Sequence, residues 1–302
     1  MQAVETPQLP QCWPVRALLA ADNSDPIIIP IHNWSSQIAM SNVIRIILEA
    51  EGNAAEHVTT DSHAVCESIH IGDLTLGLDV WKSAFGALLR ATVAKGGIED
   101  AATHSRHHPR RLVVFDVDER GLPWPARLAG AERVFRPFFV MPEIGAKGRF
   151  LDGPVDWLKH DAEKAKALRM HFQVVNARSA AAIWAELTAA EKDKTPIVSL
   201  NFTPNFAEAV WPGEFIEFPA WEDGCDTARA VGPVPDKLYD CVDPADGCPK
   251  ISAWDGKNKW PKAFTTLQEV SFTSAQIAEM SKLAHIDDIK PEDAAQVWLD
   301  AN

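Results

Sequence analysis

The chain has 302 residues, 46% of them hydrophobic, and a formal net charge of −13. This size allows one large domain or two lobes, and the negative charge argues against a nucleic-acid partner or an anionic membrane surface, because both would repel the protein. No apolar run approaches the roughly eighteen residues that a membrane-spanning helix needs, so none is predicted.

Residues 1–26 are interpreted as an N-terminal extension or as the remnant of an export signal. Their apolar piece VRALLAA, near Pro10 and Pro14, is too short and too poorly flanked for a secretory signal. Two possibilities stay open: the signal is missing from this sequence, or the protein is not exported.

From residue 27 onwards, strand-like and helix-like patterns alternate. Apolar runs indicate strands, and apolar residues at helical spacing after Ser, Thr or Pro indicate helices. The predicted strands are Ile27–Ile31, Glu56–Thr60, Leu74–Trp81, Phe172–Asn176 and Pro196–Phe202, and the predicted helices run from Ser35 or Ser36 up to Gly52, over Ser62–Ile71, Phe85–Lys95, Asp161–Met170, Ser179–Lys192 and Thr273–Ala284, and onwards from Pro291. This alternation predicts an α/β fold whose parallel sheets are covered by helices on both faces.

Tryptophan is unusually frequent, with eleven residues against a single tyrosine. Trp34 stands between a predicted strand and a predicted helix, and Trp81 ends the strand-like run LTLGLDVW. Several indole faces converging from strand ends form a cage for a methylated ammonium group, which has no acidic proton to donate. Packing in the core is the better interpretation of the remaining tryptophans considered, Trp184, Trp211, Trp221, Trp254, Trp260 and Trp298.

Ligands of open parallel sheets bind beyond the carboxyl ends of the strands. Three aromatic-bearing segments lie at such ends, namely Asn33–Ser36, Asp79–Trp81 and Asn201–Asn205. The backbone N–H groups of Ser35 and Ser36 at a helix N-terminus are suited to a carboxylate or N-oxide oxygen, while Trp34 stacks on the methylated nitrogen. We therefore expect one pocket that binds both ends of a small zwitterion, with Asn205 among the contacting residues.

The five cysteines form no C-x-x-C pair, so no zinc or redox site is predicted. Cys225, Cys241 and Cys248 lie in a loop-rich stretch, and a Cys225–Cys241 disulfide is predicted if the compartment is oxidising. The alternative, that all five are reduced thiols, stays open. No G-x-S-x-G, P-loop or G-x-G-x-x-G motif is present, so we expect neither an enzyme nor a cofactor.

Five long segments carry a family resemblance: NWSSQIAMSNVIRIILEAEG, GDLTLGLDVWKSAFGALLRATVAKGG, KGRFLDGPVDWLKHDAEKAKAL, VVNARSAAAIWAEL and IVSLNFTPNF. The chain resembles the substrate-binding proteins of ABC transporters for glycine betaine, choline, proline betaine and trimethylamine N-oxide. The resemblance implies a two-lobed type II periplasmic binding protein, acting as a monomer in the periplasm, that delivers its ligand to a membrane permease without catalysis. The implied division is lobe 1 over 27–104 and 207–302, and lobe 2 over 105–206.

The resemblance also implies roles for individual residues. Trp34 and Trp81 match two walls of the family's aromatic box, and Phe202 stands where relatives usually have another tryptophan. Trp157, in the motif LDGPVDW, either contacts the ligand or packs near the junction of the lobes. Choline-binding relatives carry an acidic residue where this chain has Ser36, which disfavours choline and leaves betaines or trimethylamine N-oxide.

Residues 105–138 depart abruptly from the resemblance, because they are basic and His-rich where relatives have an acidic, Trp-rich passage. Read one base later with suitable synonymous codons, Arg106 to Ala131 yields VTTRDDWWFSMWMKEAFPGLPDWRAL, which resembles the missing passage. A compensated frameshift is therefore predicted, and it would remove part of the ligand cage. The alternative is a genuine insertion with Arg111–Asp116 as a strand.

Two alternative functions stay open. Tryptophans also stack on sugar rings, but the Asp, Asn and Arg partners that sugar hydroxyls need are sparse around Trp34 and Trp81. A family member with impaired or lost ligand binding would follow from the atypical segment 105–138. Competition between a methylated amine and sugars would separate the first of these alternatives from the predicted function.

Overall fold

A computed structural model describes residues 21–106, 111–115, 147–157, 161–167, 170, 172–211, 213–215, 247–253 and 255–302. The predicted Cys225–Cys241 disulfide and most of residues 1–26 lie outside these ranges, as do Trp221 and Trp254. Of the atypical segment 105–138, only residues 105–106 and 111–115 are described.

The first group of strands forms two small sheets, and we call this part lobe 1. Strand β1 (Ile27–Ile31) pairs in parallel with β2 (Ala55–Thr59). Strand β10 (Gly247–Ala253) lies antiparallel between β3 (Leu76–Gly77) and β4 (Ile98–Arg106). The chain thus leaves lobe 1 after β4 and returns to it in β10.

The second group forms one five-stranded sheet, and we call this part lobe 2. Its strand order is β7, β6, β8, β5 and β9, over Phe172–Asn176, Gly148–Asp152, Ile197–Asn201, Arg111–Phe115 and Glu214–Phe215. Strand β6 is parallel to β7 and β8, whereas β5 is antiparallel to β8 and β9. Strand β9, which lies after residue 206, belongs to this sheet through its pairing with β5.

Helices cover these sheets, and two of them begin at capping residues that the sequence indicates. The Ser179 side chain caps one helix, and Thr273 and Gln276 form the expected capping box of another. The helix after β1 differs, because its N-cap residue is Trp34, without a side-chain capping hydrogen bond, and not Ser35 or Ser36. The helices are α1 (Ser35–Ala50), α2 (Val65–Ile71), α3 (Lys82–Ala94), α4 (Asp161–Ala167), α5 (Ala180–Asp193), α6 (Ala207–Val210), α7 (Gly256–Lys259), α8 (Pro261–Glu269), α9 (Ser274–His285) and α10 (Pro291–Ala301), with short 3₁₀ helices at Ser62–Ala64 and Val155–Trp157.

Strand β3 is shorter than the predicted strand Leu74–Trp81. The cause is Asp79, whose φ of +58° is incompatible with an extended chain. Leu78 and Val80 on either side of it are nevertheless buried. The segment therefore enters the core as predicted, but its last residues form a turn that leads into α3.

A fully buried lysine ties β10 to the end of α8 in lobe 1. The Lys250 ammonium donates to the backbone oxygens of Gln268 at 3.2 Å and Val270 at 2.5 Å. Burial lowers the pKa of Lys250 to about 8. The carbonyl groups at the C-terminal end of α8 thus have a donor although they lack helical partners. None of the helices in the described ranges has the length and apolar character needed to cross a bilayer.

Candidate ligand-binding site

Four aromatic rings lie directly after strands, two from each lobe. Trp34 follows β1 and is the N-cap residue of α1, and Trp81 is the N-cap residue of α3. Trp157 ends the 3₁₀ helix that follows β6, and Phe202 follows β8. All four are buried, with 4 to 6% of their surface exposed. The strand ends that the sequence indicated supply three of these rings, Trp34, Trp81 and Phe202, whereas Trp157 follows β6, a strand that was not predicted.

The four rings form a continuous series across the two lobes. The ring centroids of Trp34 and Trp157 are 6.1 Å apart, those of Trp157 and Phe202 5.9 Å, and those of Phe202 and Trp81 5.7 Å. The corresponding angles between ring planes are 76°, 84° and 82°. Successive planes that meet at nearly right angles are the arrangement of walls around a box.

Asp79 holds a carboxylate beside this series of rings. Its Oδ2 accepts the indole N–H of Trp34 at 2.7 Å and the hydroxyl of Ser36 at 2.6 Å. Asp79 is only 1% exposed, so little water screens its charge. The left-handed turn at Asp79 thus fixes the Trp34 ring and places negative charge next to the rings.

His32 supports Trp34 from another side. The two rings stack with centroids 5.0 Å apart and planes 17° apart. The imidazole Nδ1 lies 2.9 Å from the backbone oxygen of Thr60, an acceptor that fixes the ring. Burial lowers the pKa of His32, an effect that the Thr60 oxygen and nearby carboxylates only partly oppose, so the imidazole is neutral at pH 7. A neutral ring at this position adds no repulsion toward a bound cation.

The polar residues predicted for the site are buried near helix and strand ends. Ser35 and Ser36 occupy the first turn of α1, where backbone N–H groups lack helical partners. Asn205 donates from its amide to Asn201 at 3.0 Å. Among the described residues, neither the Ser35 hydroxyl nor the Asn205 amide oxygen has a hydrogen-bond partner. Such buried atoms are costly unless something else satisfies them.

Asn33 joins the two lobes next to the rings. Its carbonyl oxygen accepts the indole N–H of Trp157 at 2.5 Å, and its amide donates to the Asp156 carboxylate at 2.9 Å. The Ser62 hydroxyl also donates to the backbone oxygen of Asp156, at 2.9 Å. The 3₁₀ helix Val155–Trp157 is thus bonded to lobe 1 at three points.

Gly153 provides the space that the Trp157 ring occupies. A Cβ atom at Gly153 would lie 2.5 Å from Cε3 and 2.8 Å from Cζ3 of this indole, and 3.1 Å from Leu200 Cδ2. These distances are too short for carbon atoms in contact. Only a glycine therefore permits the present position of Trp157 beside β6 and β8.

The other described tryptophans pack in the interior, as predicted. Trp184 stacks on Trp211 with centroids 5.9 Å apart, and both belong to the core that continues from the rings into lobe 2. Trp260 and Trp298 lie in the second core, beneath α1 in lobe 1. No group of three or more potential metal ligands occurs among the residues described.

Comparison with known proteins decides the family. The family described as the substrate binding domain of ABC-type glycine betaine transport systems matches residues 25–301. The chain belongs to this family. Proteins of this glycine betaine-type family bind a solute outside the cytoplasm for an ABC transporter and are not enzymes.

Individual relatives of this glycine betaine-type binding protein agree with that assignment. The trimethylamine N-oxide-binding protein of Pelagibacter ubique is 37% identical over 289 residues, covering 94% of this chain and 90% of the relative. A lactococcal OpuAC, closed on glycine betaine, matches with a TM-score of 0.68 at 13% identity, covering 92% of this chain and 96% of that one. A choline-binding protein in complex with choline matches with a TM-score of 0.67 at 18% identity, covering 92% and 88%. The predicted two-lobed type II periplasmic-binding-protein fold is confirmed by these structures.

Three residues of this binding protein's site were not predicted from the sequence. Asn33 and Asp79 lie in the segments named above but had no role assigned, and His32 lies just before the first of these segments. Asp79 and Asn33 act through partners that are distant in sequence, since Asp79 and Trp34 are 45 residues apart and Asn33 and Trp157 are 124 apart. His32 stacks on Trp34, its near neighbour in the chain, but its ring is fixed by the Thr60 oxygen 28 residues away. The one feature of the sequence that could have indicated a role for Asp79 is its place two positions before Trp81 in the same loop.

Proposed function

We propose that this protein captures a small methylated ammonium osmolyte, namely glycine betaine, proline betaine or trimethylamine N-oxide, between Trp34, Trp81, Trp157 and Phe202. It then presents the ligand to the membrane permease of its ABC transporter. The observation that carries the proposal is the series of nearly perpendicular rings, two of which come from each lobe. The Pelagibacter relative, whose name states that it binds trimethylamine N-oxide, supports the ligand class.

The ring spacing suits a methylated cation. A nitrogen enclosed by perpendicular rings whose centroids are about 6 Å apart lies about 4 Å from each ring, within the roughly 6 Å limit of a cation–π attraction. Each desolvated ring contributes about 1 to 2 kcal/mol to such a contact. The buried carboxylate of Asp79 adds attraction for the same positive charge without contacting it directly.

The anionic end of the ligand is assigned to the N-terminus of α1 and to Asn205. The free N–H groups in the first turn of α1 attract a carboxylate or N-oxide oxygen. The Ser35 hydroxyl is a further donor to the ligand. The buried amide oxygen of Asn205 can accept a hydrogen bond from an ordered water molecule that is itself bound to the ligand. These atoms support the proposed roles of Ser35, Ser36 and Asn205, because a ligand would satisfy groups that the described protein atoms do not.

Choline deserves a place among the test compounds. The sequence disfavoured it because Ser36 replaces an acidic residue of choline-binding relatives, yet the Asp79 carboxylate lies 2.6 Å from the Ser36 hydroxyl. A carboxylate therefore lies close to the place where choline-binding relatives have their acidic residue, although here it comes from another part of the chain. Its engagement with two donors leaves it less available to a choline hydroxyl than an unengaged carboxylate, so betaines and trimethylamine N-oxide stay preferred.

The remaining parts of the proposal concern where and how the protein works. We place it in the periplasm, as a monomer, with no nucleic-acid partner. The net charge of −13 supports the last point, since nucleic acids repel an acidic surface. Sedimentation at two protein concentrations checks the monomer, and fractionation of cells that express the gene checks the compartment.

Isothermal titration tests the ligand class directly. Glycine betaine, proline betaine, trimethylamine N-oxide, choline and glucose are titrated into the purified chain under identical conditions. We expect saturable heat from at least one of the first three compounds and none from glucose. Binding of glucose alone, or of choline far more tightly than all three, would overturn the proposal.

A further inference from the structure

We infer that Asn33 is a positioning residue that orients Trp157 from the opposite lobe and thereby holds the two lobes together around the ligand. The inference rests on the proposed function, which it deepens by adding a residue that sets the lifetime of the closed protein. Asn33 itself is exposed and contributes no ring to the cage.

The chemistry of its partners fixes the orientation of the Asn33 amide. An indole N–H can only donate and an ionised carboxylate can only accept, so the Asn33 oxygen must face Trp157 and its nitrogen must face Asp156. Both hydrogen bonds are made at once by a single planar group. They span 124 and 123 residues of sequence and connect the loop after β1 with the loop after β6.

These hydrogen bonds act directly on the proposed cage, because Trp157 is one of its walls. Trp157 contacts Trp34 on one side and Phe202 on the other, at nearly right angles in both cases. Asn33 is adjacent to Trp34 in the chain, so one loop carries a wall of the cage and also the group that sets the angle of the next wall. Because the partners lie in different lobes, both hydrogen bonds break when the lobes separate.

The consequence for binding is kinetic. Encounter of the ligand with the open protein does not involve these bonds, whereas opening of the closed complex must break them. Loss of the Asn33 amide is therefore expected to raise the dissociation rate constant about 10- to 100-fold, with an association rate constant changed by less than about 3-fold.

Exchanging the two side chains gives a sharp test. Asn33→Asp keeps an acceptor for Trp157 but sets two carboxylates against each other, which should speed dissociation at pH 7.5 and be relieved near pH 5, where such a pair takes up a proton. Asn33→Ala should be equally fast at both pH values. The double variant Asn33→Asp with Asp156→Asn reverses donor and acceptor, and it should return to within about 5-fold of the unmodified protein.

Stopped-flow fluorescence measures these rates with trimethylamine N-oxide or glycine betaine, whichever the unmodified chain binds. A dissociation rate unchanged by Asn33→Ala, or a double variant no slower than Asn33→Asp alone, would overturn the inference. A merely structural role for Asn33 predicts no relief at low pH and no recovery in the exchanged pair.

A second measurement separates this inference from the proposed function. In protein with ¹⁵N-labelled indoles, the Trp157 signal is the one that Trp157→Phe removes. In the ligand-bound, closed protein we expect Asn33→Ala to shift this signal upfield and to speed its exchange with water. If a methylated amine binds and the Trp157 signal is unchanged in Asn33→Ala, the positioning role is refuted and the proposed function stands. If no methylated amine binds, the proposed ligand class is wrong and the inference falls with it.

Discussion

The substitution Gly153→Ala tests whether the position of Trp157 matters for binding. The new methyl group would lie 2.5 Å from the nearest indole atom, whereas carbon atoms in contact need about 3.5 Å or more. The ring must therefore retreat by about 1 Å or tilt, since β6 and Leu200 confine the methyl group. Either movement disturbs the hydrogen bond to Asn33 and both ring contacts of Trp157.

We expect Gly153→Ala to weaken binding about 10- to 50-fold, equivalent to about 1.4 to 2.3 kcal/mol. The same strain should lower the free energy of unfolding by about 1 to 3 kcal/mol. Titration calorimetry gives the affinity, and urea unfolding followed by circular dichroism gives the stability. Unchanged affinity together with the expected loss of stability would refute the link between Gly153, Trp157 and the ligand.

Gly256→Ala is the matched control for this experiment. Gly256 begins α7 in lobe 1, and a Cβ atom there would press on the Ser252 hydroxyl, which takes part in none of the ring contacts described. We expect a small loss of stability with no change in affinity. An equal loss of affinity in both variants would show that crowding at any glycine disturbs the site.

Four further predictions concern other parts of the chain. Phe202→Leu keeps an apolar side chain but removes a ring face, so affinity should fall about 5- to 30-fold by calorimetry, while Phe264→Leu in the second core should cost stability only. Burial lowers the pKa of Lys250 to about 8, so below this pH the side chain is charged in both the folded and the unfolded chain. Between about 8 and the ordinary value of 10.5, the unfolded chain binds more protons than the folded one. The free energy of unfolding therefore rises with pH through this range. Unfolding from pH 7.5 to 10.5 should therefore show the protein gaining up to about 3 kcal/mol relative to Lys250→Met, and parallel curves would contradict this. Burial raises the pKa of Cys66 to about 11, so mass spectrometry should find its peptide alkylated by iodoacetamide at pH 8 only after unfolding. Replacing residues 106–131 with the shifted passage should tighten binding about 5- to 1000-fold, and the gene's nucleotide sequence should show the two compensating shifts.

The local parts of the site were predictable because they depend on neighbours in sequence. A buried strand followed by a helix-capping pattern placed Trp34 at the N-terminus of α1, and the same logic placed Phe202 after β8. The family resemblance added Trp157. Position along the chain thus placed these rings at strand ends, without showing how they meet.

The parts that sequence reasoning missed depend on tertiary contacts or local distortion. Asp79 interrupts the predicted strand because its left-handed backbone turns the carboxylate toward Trp34 and Ser36, and no periodicity reveals such a turn. Strand β10 was not predicted because Gly247 and Pro249 resemble loop residues, although the strand pairs with β4 across a register shift. The frameshift and the Cys225–Cys241 disulfide stay predictions, since both fall largely outside the described residues.

Two of the three ring contacts, Trp34 with Trp157 and Trp81 with Phe202, join residues of different lobes. The proposed cage is therefore complete only when the two lobes are together, because each lobe supplies two of its four rings. The measured dissociation constant is therefore the intrinsic constant divided by the fraction of molecules that are shut. Substitutions far from the rings that change this fraction would therefore change the ligand concentration at which uptake saturates. The groups proposed to select the solute would stay the same.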